Sequence, residues 1–236
     1  LGATIVSIND DAAKAINGYI ETIPMTFPDD AKASGGVTDT PVVIATSYPG
    51  AMRAAKVIEV EWATNHNASA SSETLMTEAK ALVDSKSDGI TVFFSAGNLD
   101  QLDTSSMQVI EADYQTSMVA HIPLEPANAL AQFVDGELHV YSSHQGGSII
   151  PMVISQFVGV APEKIIFHPH LVGGGFGKKF QSGVIILASL AALRTKQPVK
   201  LIFSREDDMA FAHPRTSTYQ RMSASIDNNK KIKGLK

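Results

Sequence analysis

Residues 170–190, HLVGGGFGKKFQSGVIILASL, place four glycines among the five residues Gly173–Gly177, just before an apolar run. A backbone with this freedom either turns sharply through positive φ or approaches a ligand closely. The run Gly183–Arg194 predicts a helix, and Ile165–His168 predicts a buried strand before the glycines. The glycines therefore join a strand to a helix, where free N–H groups favour an anion.

The same alternation extends in both directions. Leu138–Ser142 predicts a strand before a helix over Ile149–Phe157, and Val199–Phe203 predicts a strand after the second helix. This strand–helix–strand–helix–strand order predicts parallel strands with right-handed crossovers. Both loops, at Gln145 and at Gly173–Gly177, are then expected at the carboxyl ends of their strands, where α/β sheets bind ligands.

The whole chain is predicted to have a mixed α/β (α+β) fold in three segments. Residues 1–62 predict a small α+β module, 63–104 a linker and a helix, and 105–236 the first part of a larger α/β domain. Asp135-Gly136 predicts a tight hairpin turn, and the Pro/Gly/Asp-rich residues 26–40 predict a loop. The chain starts without Met and ends soon after a hairpin turn at Asn228-Asn229, so we expect a piece of a longer polypeptide.

Composition excludes several classes of function. Of 236 residues, 44% are hydrophobic and 18% charged, as in folded globular domains. A formal charge of −5 without a basic cluster argues against nucleic acid as a partner. No apolar stretch reaches the roughly 18–20 residues of a membrane span. The absence of cysteine excludes disulfides, thiolate-held iron–sulfur clusters and a cysteine nucleophile within this sequence.

The glycine loop does not fit two common nucleotide-binding motifs. A dinucleotide fingerprint that starts at Gly173 would need glycine where Lys178 stands. A phosphate-binding loop would need glycine in place of Val172 and a hydroxyl in place of Lys179. A nucleotide-binding α/β enzyme that uses Gly173–Gly177 remains an alternative, and so does a non-catalytic module that uses residues 1–62 for subunit contact.

Several further polar side chains are candidates. His121 and Glu125 stand in the apolar stretch VAHIPLEP, either on the substrate side of a site or as a hydrogen-bonded pair that holds a bend. The sequence His168-Pro169-His170 has the spacing of two metal ligands, but without further ligands nearby we predict ordinary histidines at a strand end and no protein metal ligand. Ser204 in SREDDM predicts a helix cap followed by salt bridges.

Three segments, taken in order, carry a resemblance to a known family. They are VAHIPLEPANALAQFVDGELHVYSSHQGG (119–147), FVGVAPEKIIFHPHLVGGGFGKK (157–179) and QPVKLIFSREDDM (197–209). Together they resemble the molybdenum-binding subunit of the xanthine oxidase family, especially the isoquinoline 1-oxidoreductase β subunit and aldehyde-oxidising relatives. Residues 1–62 resemble the small "hammerhead" module that precedes it.

The resemblance implies a molybdopterin cofactor, in the cytosine dinucleotide form common in bacterial members. It assigns Gln145, Gly174, Gly175, Phe176 and Gly177 to cofactor binding. It also implies hydroxylation of an aldehyde or N-heterocycle with water as the oxygen source. Electrons would pass to iron–sulfur clusters on a partner subunit, and from there to a cytochrome or flavoprotein.

Two departures from the family pattern limit these expectations. Phe180 stands where xanthine-oxidising members have a substrate-binding glutamate, and the preceding Lys178-Lys179 resembles the isoquinoline branch. The family's general-base glutamate is expected beyond residue 236, so residues 1–236 alone are predicted to be inactive. Isoquinoline-type relatives are often exported, which makes a periplasmic location the expectation over a cytoplasmic one.

Overall fold

The computed structural model describes residues 3–35, 37–64, 66–85, 93–211 and 213–236. Its strands are β1 (Thr4–Asn9), β2 (Tyr19–Met25), β3 (Thr40–Ala45), β4 (Glu59–Ala63), β5 (Gln108–Thr116), β6 (Asn128–Val134), β7 (Glu137–Ser142), β8 (Ile165–Pro169), β9 (Val199–Ile202), β10 (Thr218–Ile226) and β11 (Ile232–Leu235). Its α-helices are α1 (Asp29–Gly35), α2 (Tyr48–Ala55), α3 (Ser72–Ser85), α4 (Ile150–Val158), α5 (Gly183–Thr195) and α6 (Arg205–Ala210). The predicted mixed α/β fold is confirmed.

The chain forms two compact units. Unit 1 comprises Leu1–Ala68 and Ala120–Pro214, and unit 2 comprises Ser69–Val119 and Arg215–Lys236. The predicted segments 1–62, 63–104 and 105–236 stay a prediction. The structure adds that both parts of unit 1 contribute to one hydrophobic core, in which Ile23 and Val42 join buried residues of α4 and α5.

A four-stranded sheet in the order β8-β7-β6-β9 forms the frame of unit 1. β7 and β8 run parallel, as predicted, whereas β6 runs antiparallel to both β7 and β9. β9 therefore has the direction of β7 but is separated from it by β6. The strand–helix alternation did not reveal this, because β6 precedes the alternating segment and enters the sheet through its hairpin with β7.

Local sequence explains where several elements begin and end. Asp135 and Gly136 both adopt positive φ, of 51° and 84°, as a two-residue hairpin turn requires. The Ser47 hydroxyl accepts a hydrogen bond from the Gly50 amide at the start of α2. Ser204 and Asp207 form a capping box at α6, which confirms the predicted cap. The predicted loop over residues 26–40 is wrong in one respect, because α1 forms within it.

The core of unit 1 surrounds α5. Seven of its apolar residues are buried: Val184, Ile185, Ile186, Leu187, Ala188, Ala191 and Ala192. A helix that is apolar on nearly every side belongs in the interior of a domain. Leu138 and Val140 of β7 face the same core and are fully buried. The strand ends that carry the glycine loop and Gln145 are therefore attached to the most buried part of the chain.

Unit 2 contains the three-stranded antiparallel sheet β11-β10-β5. β10 pairs with β5 along its full length, from Thr218 opposite Thr116 to Ile226 opposite Gln108. α3 packs on β10 and has no buried residue. Its less exposed positions, Met76, Ala79 and Val83, belong to the apolar face that its sequence shows. Among the described helices, none combines the length and apolar character that a bilayer crossing requires.

Candidate functional site

The structure brings the loop after β7 and the loop after β8 into direct contact. The backbone N–H of Gln145 donates a hydrogen bond to the Lys179 carbonyl oxygen over 2.9 Å. The Gly177 amide donates to Gln145 Oε1 over 3.0 Å. Because β7 and β8 are parallel, both loops leave the same edge of the sheet, which is where such sheets bind ligands. Both loops thus follow the carboxyl ends of their strands, as expected, and the structure adds that they touch.

Gly175 lies where no side chain fits. A Cβ atom added at this position would be 2.5 Å from Gln145 Oε1 and 3.2 Å from the Lys179 Cβ. Gly174 and Gly177 instead need glycine for their backbone angles, since their φ values are 92° and 97°. Phe176 also has positive φ, of 53°, a costly conformation for an aromatic residue. The loop is thus held in a strained form with its backbone against Gln145.

The loop keeps backbone donors available for a ligand. The Lys178 amide is used within the turn, where it donates to the Gly175 carbonyl over 2.8 Å. Within the described residues, no hydrogen bond starts from the amide of Gly174 or Gly175, or from Gln145 Nε2. Backbone N–H groups of a glycine turn, together with a side-chain amide, can bind phosphate or another group rich in oxygen atoms. These residues therefore fit a cofactor that carries a phosphate and oxygen ligands.

Exposed aromatic side chains flank these donors. Phe176 is 60% exposed and Phe180 is 54% exposed. The Phe180 ring covers Gly146, where an added Cβ would lie 2.6 Å from a ring atom. Large exposed apolar side chains around a cluster of polar donors are typical of a binding site rather than of an ordinary surface. Phe180 thus belongs to the site by position; its predicted substrate-side role stays a prediction.

His144 connects the two loops, and no local signal around it predicted this role. Its Nδ1 accepts from the Gly146 amide over 3.0 Å, and its Nε2 lies 3.1 Å from the Phe180 carbonyl. The first contact makes Nδ1 an acceptor, so the proton sits on Nε2 and the ring is neutral. Burial lowers the pKa of His144 below its usual value. The neutral ring is therefore a structural connection between the loops.

Glu125, a predicted candidate, contacts the glycine loop through Lys179. The Lys179 ammonium group binds a Glu125 carboxylate oxygen and lies 2.9 Å from the Ser143 hydroxyl. Ser143 and Asn128 also donate to Glu125. Burial alone would raise the pKa of Glu125, but the hydrogen bond from Lys179 and those from its other donors outweigh it, and the pKa is lowered.

Lys178 points to a different partner from its neighbour. Its Nζ lies 2.8 Å from Asp208 Oδ1, and both side chains are buried. Asp208 also accepts hydrogen bonds from Arg205 and from the Ala127 amide. This confirms the salt bridges predicted for SREDDM. The lysine partner could not be predicted, since consecutive lysines in a loop are usually solvated.

Two further histidines differ in their relation to the site. His121 Nε2 would lie 3.5 Å from a Cβ added at Gly177, so His121 borders the glycine loop; its pairing with Glu125 stays a prediction. The His168 ring stacks on Tyr141 and shares a 3.0 Å hydrogen bond with His139. Among the described residues there is no group of three or more His, Asp or Glu able to hold a metal ion.

Comparison with known families identifies the family of the chain. Residues 82–236, more than half of the chain, match the family described as "Molybdopterin cofactor-binding domain". The chain belongs to this family. The resemblance to the molybdenum-binding subunit of the xanthine oxidase family is confirmed.

Individual relatives agree with the family match. The chain is 33% identical over 99% of its length to the "Membrane-bound aldehyde dehydrogenase [pyrroloquinoline-quinone]" of Gluconacetobacter polyoxogenes. It is 28% identical over 55% of its length to the isoquinoline 1-oxidoreductase β subunit of Brevundimonas diminuta. The chain spans only 30% and 17% of these two relatives.

A solved structure shares the fold. The aldehyde oxidoreductase of Desulfovibrio gigas superposes with a TM-score of 0.73 and 20% sequence identity, over 98% of this chain and 28% of that one. At this level of identity the likeness establishes the fold. The named relatives are oxidoreductases, and this chain is built like a part of them.

Proposed function

We propose that the complete protein is a molybdenum hydroxylase, and that these 236 residues form one wall of its cofactor site. The observation that carries the proposal is the close approach of Gly175 to Gln145. It places the backbone N–H groups of the glycine loop beside the side-chain amide of Gln145. In this proposal the protein oxidises an aldehyde or an N-heterocycle with water as the oxygen source. The family match supports this function over a nucleotide-dependent enzyme or a non-catalytic module.

Each residue of the loop has a defined task in the proposal. The backbone amides of Gly174 and Gly175 would hold oxygen atoms of molybdopterin, and Gln145 Nε2 would provide a further hydrogen-bond donor to it. Gly177 orients Gln145 through its hydrogen bond to Oε1. Phe176 and Phe180 shield these donors from water, which strengthens hydrogen bonds at the site. When bound, molybdopterin would supply the two-electron oxidation of the substrate carbon.

Finer features of the proposal rest on the family resemblance. We propose the cytosine dinucleotide form of the cofactor, an iron–sulfur partner subunit, and a cytochrome or flavoprotein as the next electron acceptor. The lack of cysteine in residues 1–236 is consistent with iron–sulfur clusters held elsewhere. We also propose a periplasmic location, which fractionation of the native host would test.

Cofactor analysis of the protein expressed from its complete reading frame tests the proposal. Molybdenum and a pterin in near-equal amounts are expected, with cytidine monophosphate released on hydrolysis of the dinucleotide form. A quinone without molybdenum would contradict the proposal, and this outcome is included because one relative's name contains pyrroloquinoline quinone.

Two substitutions test the site itself. Gly175→Ala and Gln145→Ala should each lower activity on the order of 10–100-fold, as loss of groups that orient a metal cofactor does. Gly234→Ala is the matched control for a steric clash, since a Cβ added there would lie 2.8 Å from a Leu102 side-chain atom. Exposed Gln197 provides the control Gln197→Ala. Wild-type turnover by both site variants would overturn the assignment.

A further inference from the structure

We propose that Lys179 is a positioning residue, whose side chain locks the glycine loop against Gln145 by binding Glu125 and Ser143. This inference rests on the proposed function, because it concerns how the cofactor-binding loop is held. Lys179 is not assigned to bind the cofactor, since its ammonium group is buried and bound by Glu125 and Ser143.

The burial of Lys179 shows that its position is specified. Its side chain is 5% exposed, whereas lysines are rarely buried without a partner. Its Nζ donates to the Glu125 carboxylate and to the Ser143 hydroxyl, and Ser143 also donates to Glu125. Ser143 follows β7 and Glu125 precedes β6, so one ammonium group joins the glycine loop to two other segments of unit 1.

The main chain of Lys179 transmits this position to Gln145. The Lys179 carbonyl oxygen accepts a hydrogen bond from the backbone N–H of Gln145, and the Lys179 Cβ atom lies against Gly175. A shift of residue 179 must therefore move the Gln145 backbone or open its contact with the glycine loop. The side chain of Gln145 would move with its backbone, away from the Gly177 amide that orients Oε1.

Lys178 is a natural comparison for Lys179. The two residues are adjacent and similarly buried, at 7% and 5% exposure of their side chains. However, Lys178 binds Asp208, which is 1% exposed and also bound by Arg205, whereas Glu125 is 46% exposed. Loss of Lys178 leaves a buried carboxylate, which damages folding, whereas water can solvate Glu125 after loss of Lys179. Substitution of Lys178 should thus chiefly lower stability, whereas substitution of Lys179 should chiefly disturb the position of the glycine loop.

The test uses the complete protein, purified from a host that makes the cofactor, with Lys179→Met, Lys179→Arg and Lys178→Met. Molybdenum per folded polypeptide, the unfolding midpoint and amide hydrogen exchange of residues 143–147 are measured for each. We expect Lys179→Met to lower molybdenum content on the order of tenfold, as loss of an orienting partner does, with a small change in midpoint. Lys179→Arg keeps the charge and should restore most of the content.

Hydrogen exchange provides a measurement that needs no cofactor. In cofactor-free protein, Lys179→Met should accelerate hydrogen exchange of the backbone amide of Gln145, whereas Lys178→Met should chiefly lower the unfolding midpoint. Unchanged exchange and unchanged molybdenum content in Lys179→Met would overturn the inference. Equal losses in both lysine variants that follow the unfolding midpoint would also overturn it, because they indicate only a structural role. A wild-type protein without molybdenum would refute the proposed function, while exchange would still decide the role of Lys179.

Discussion

The two compact units differ in how they are stabilised. Every large apolar side chain that is buried among the described residues belongs to unit 1, around α5 and the β8-β7-β6-β9 sheet. Unit 2 relies on the long β5–β10 pairing and on exposed ion pairs such as Arg221 with Asp113. Apolar residues of β5, including Val109 and Ile110, remain exposed. The candidate cofactor site is thus built on the unit that has a packed core.

This difference has a physical consequence for function. Regions with few buried apolar contacts open locally at lower free energy than core regions. A site whose donors must stay within a few tenths of an ångström of a cofactor needs the more rigid support. We therefore expect the loops of Gln145 and Gly175 to resist opening to a greater degree than β5 and β10.

A core substitution should give the largest effect. Leu138→Ala in β7 removes a fully buried side chain and should lower the free energy of unfolding by about 3–4 kcal/mol. Ile110→Ala in β5 is the matched control, since Ile110 is half exposed and should cost less than about 1 kcal/mol. Denaturant titration measures both. Similar losses in the two variants would contradict the contrast between the units.

A buried ion pair should give the next effect. Lys178→Met leaves the Asp208 carboxylate without one of its two cations and should cost about 3 kcal/mol, as for other broken buried pairs. Asp208→Asn combined with Lys178→Met should recover part of this loss. Arg221→Met removes an exposed ion pair of unit 2 and is expected to change the unfolding midpoint much less. A larger drop in the unfolding midpoint for Arg221→Met than for Lys178→Met would contradict the contrast between the two units.

The pH dependence of unit 1 should give the smallest effect. The pKa of His144 is lowered by burial, so the unfolded chain binds this proton more readily than the folded chain. The stability of unit 1 should therefore fall as the pH decreases through the unfolded value of about 6.5. His144→Gln should flatten this part of the profile, whereas exchange in β5 and β10 should not follow it. If the stability of His144→Gln depended on pH in the same way as that of the wild type, groups other than His144 would cause the loss of stability at low pH.

Local signals in the sequence predicted much of unit 1. The Asp135-Gly136 turn, the Ser47 cap and the helices α4 and α5 each depend on neighbouring residues or on one apolar pattern, and all are present. Gly173–Gly177 stood out because several glycines in succession allow backbone angles that other residues avoid. The resemblance to the xanthine oxidase family depended on the same segments, and the family match confirms it.

The tertiary structure alone decided which side chains support the site. Lys178 and Lys179 are adjacent and chemically identical, yet one binds Asp208 and the other Glu125. These partners lie 30 and 54 residues away along the chain, and only the packing of α6 and of the segment before β6 brings them close. The same holds for β6, which separates β7 from β9.

The amino-acid sequence alone predicted the turns, the apolar helices and the glycine loop at the end of a parallel strand. It did so because backbone angles and apolar periodicity are properties of consecutive residues. The contact between Gly175 and Gln145, the neutral state of His144 and the division of the two lysines between two carboxylates were decided only by the folded chain. Each of these depends on distances between segments far apart in sequence, and local propensity carries no information about such distances.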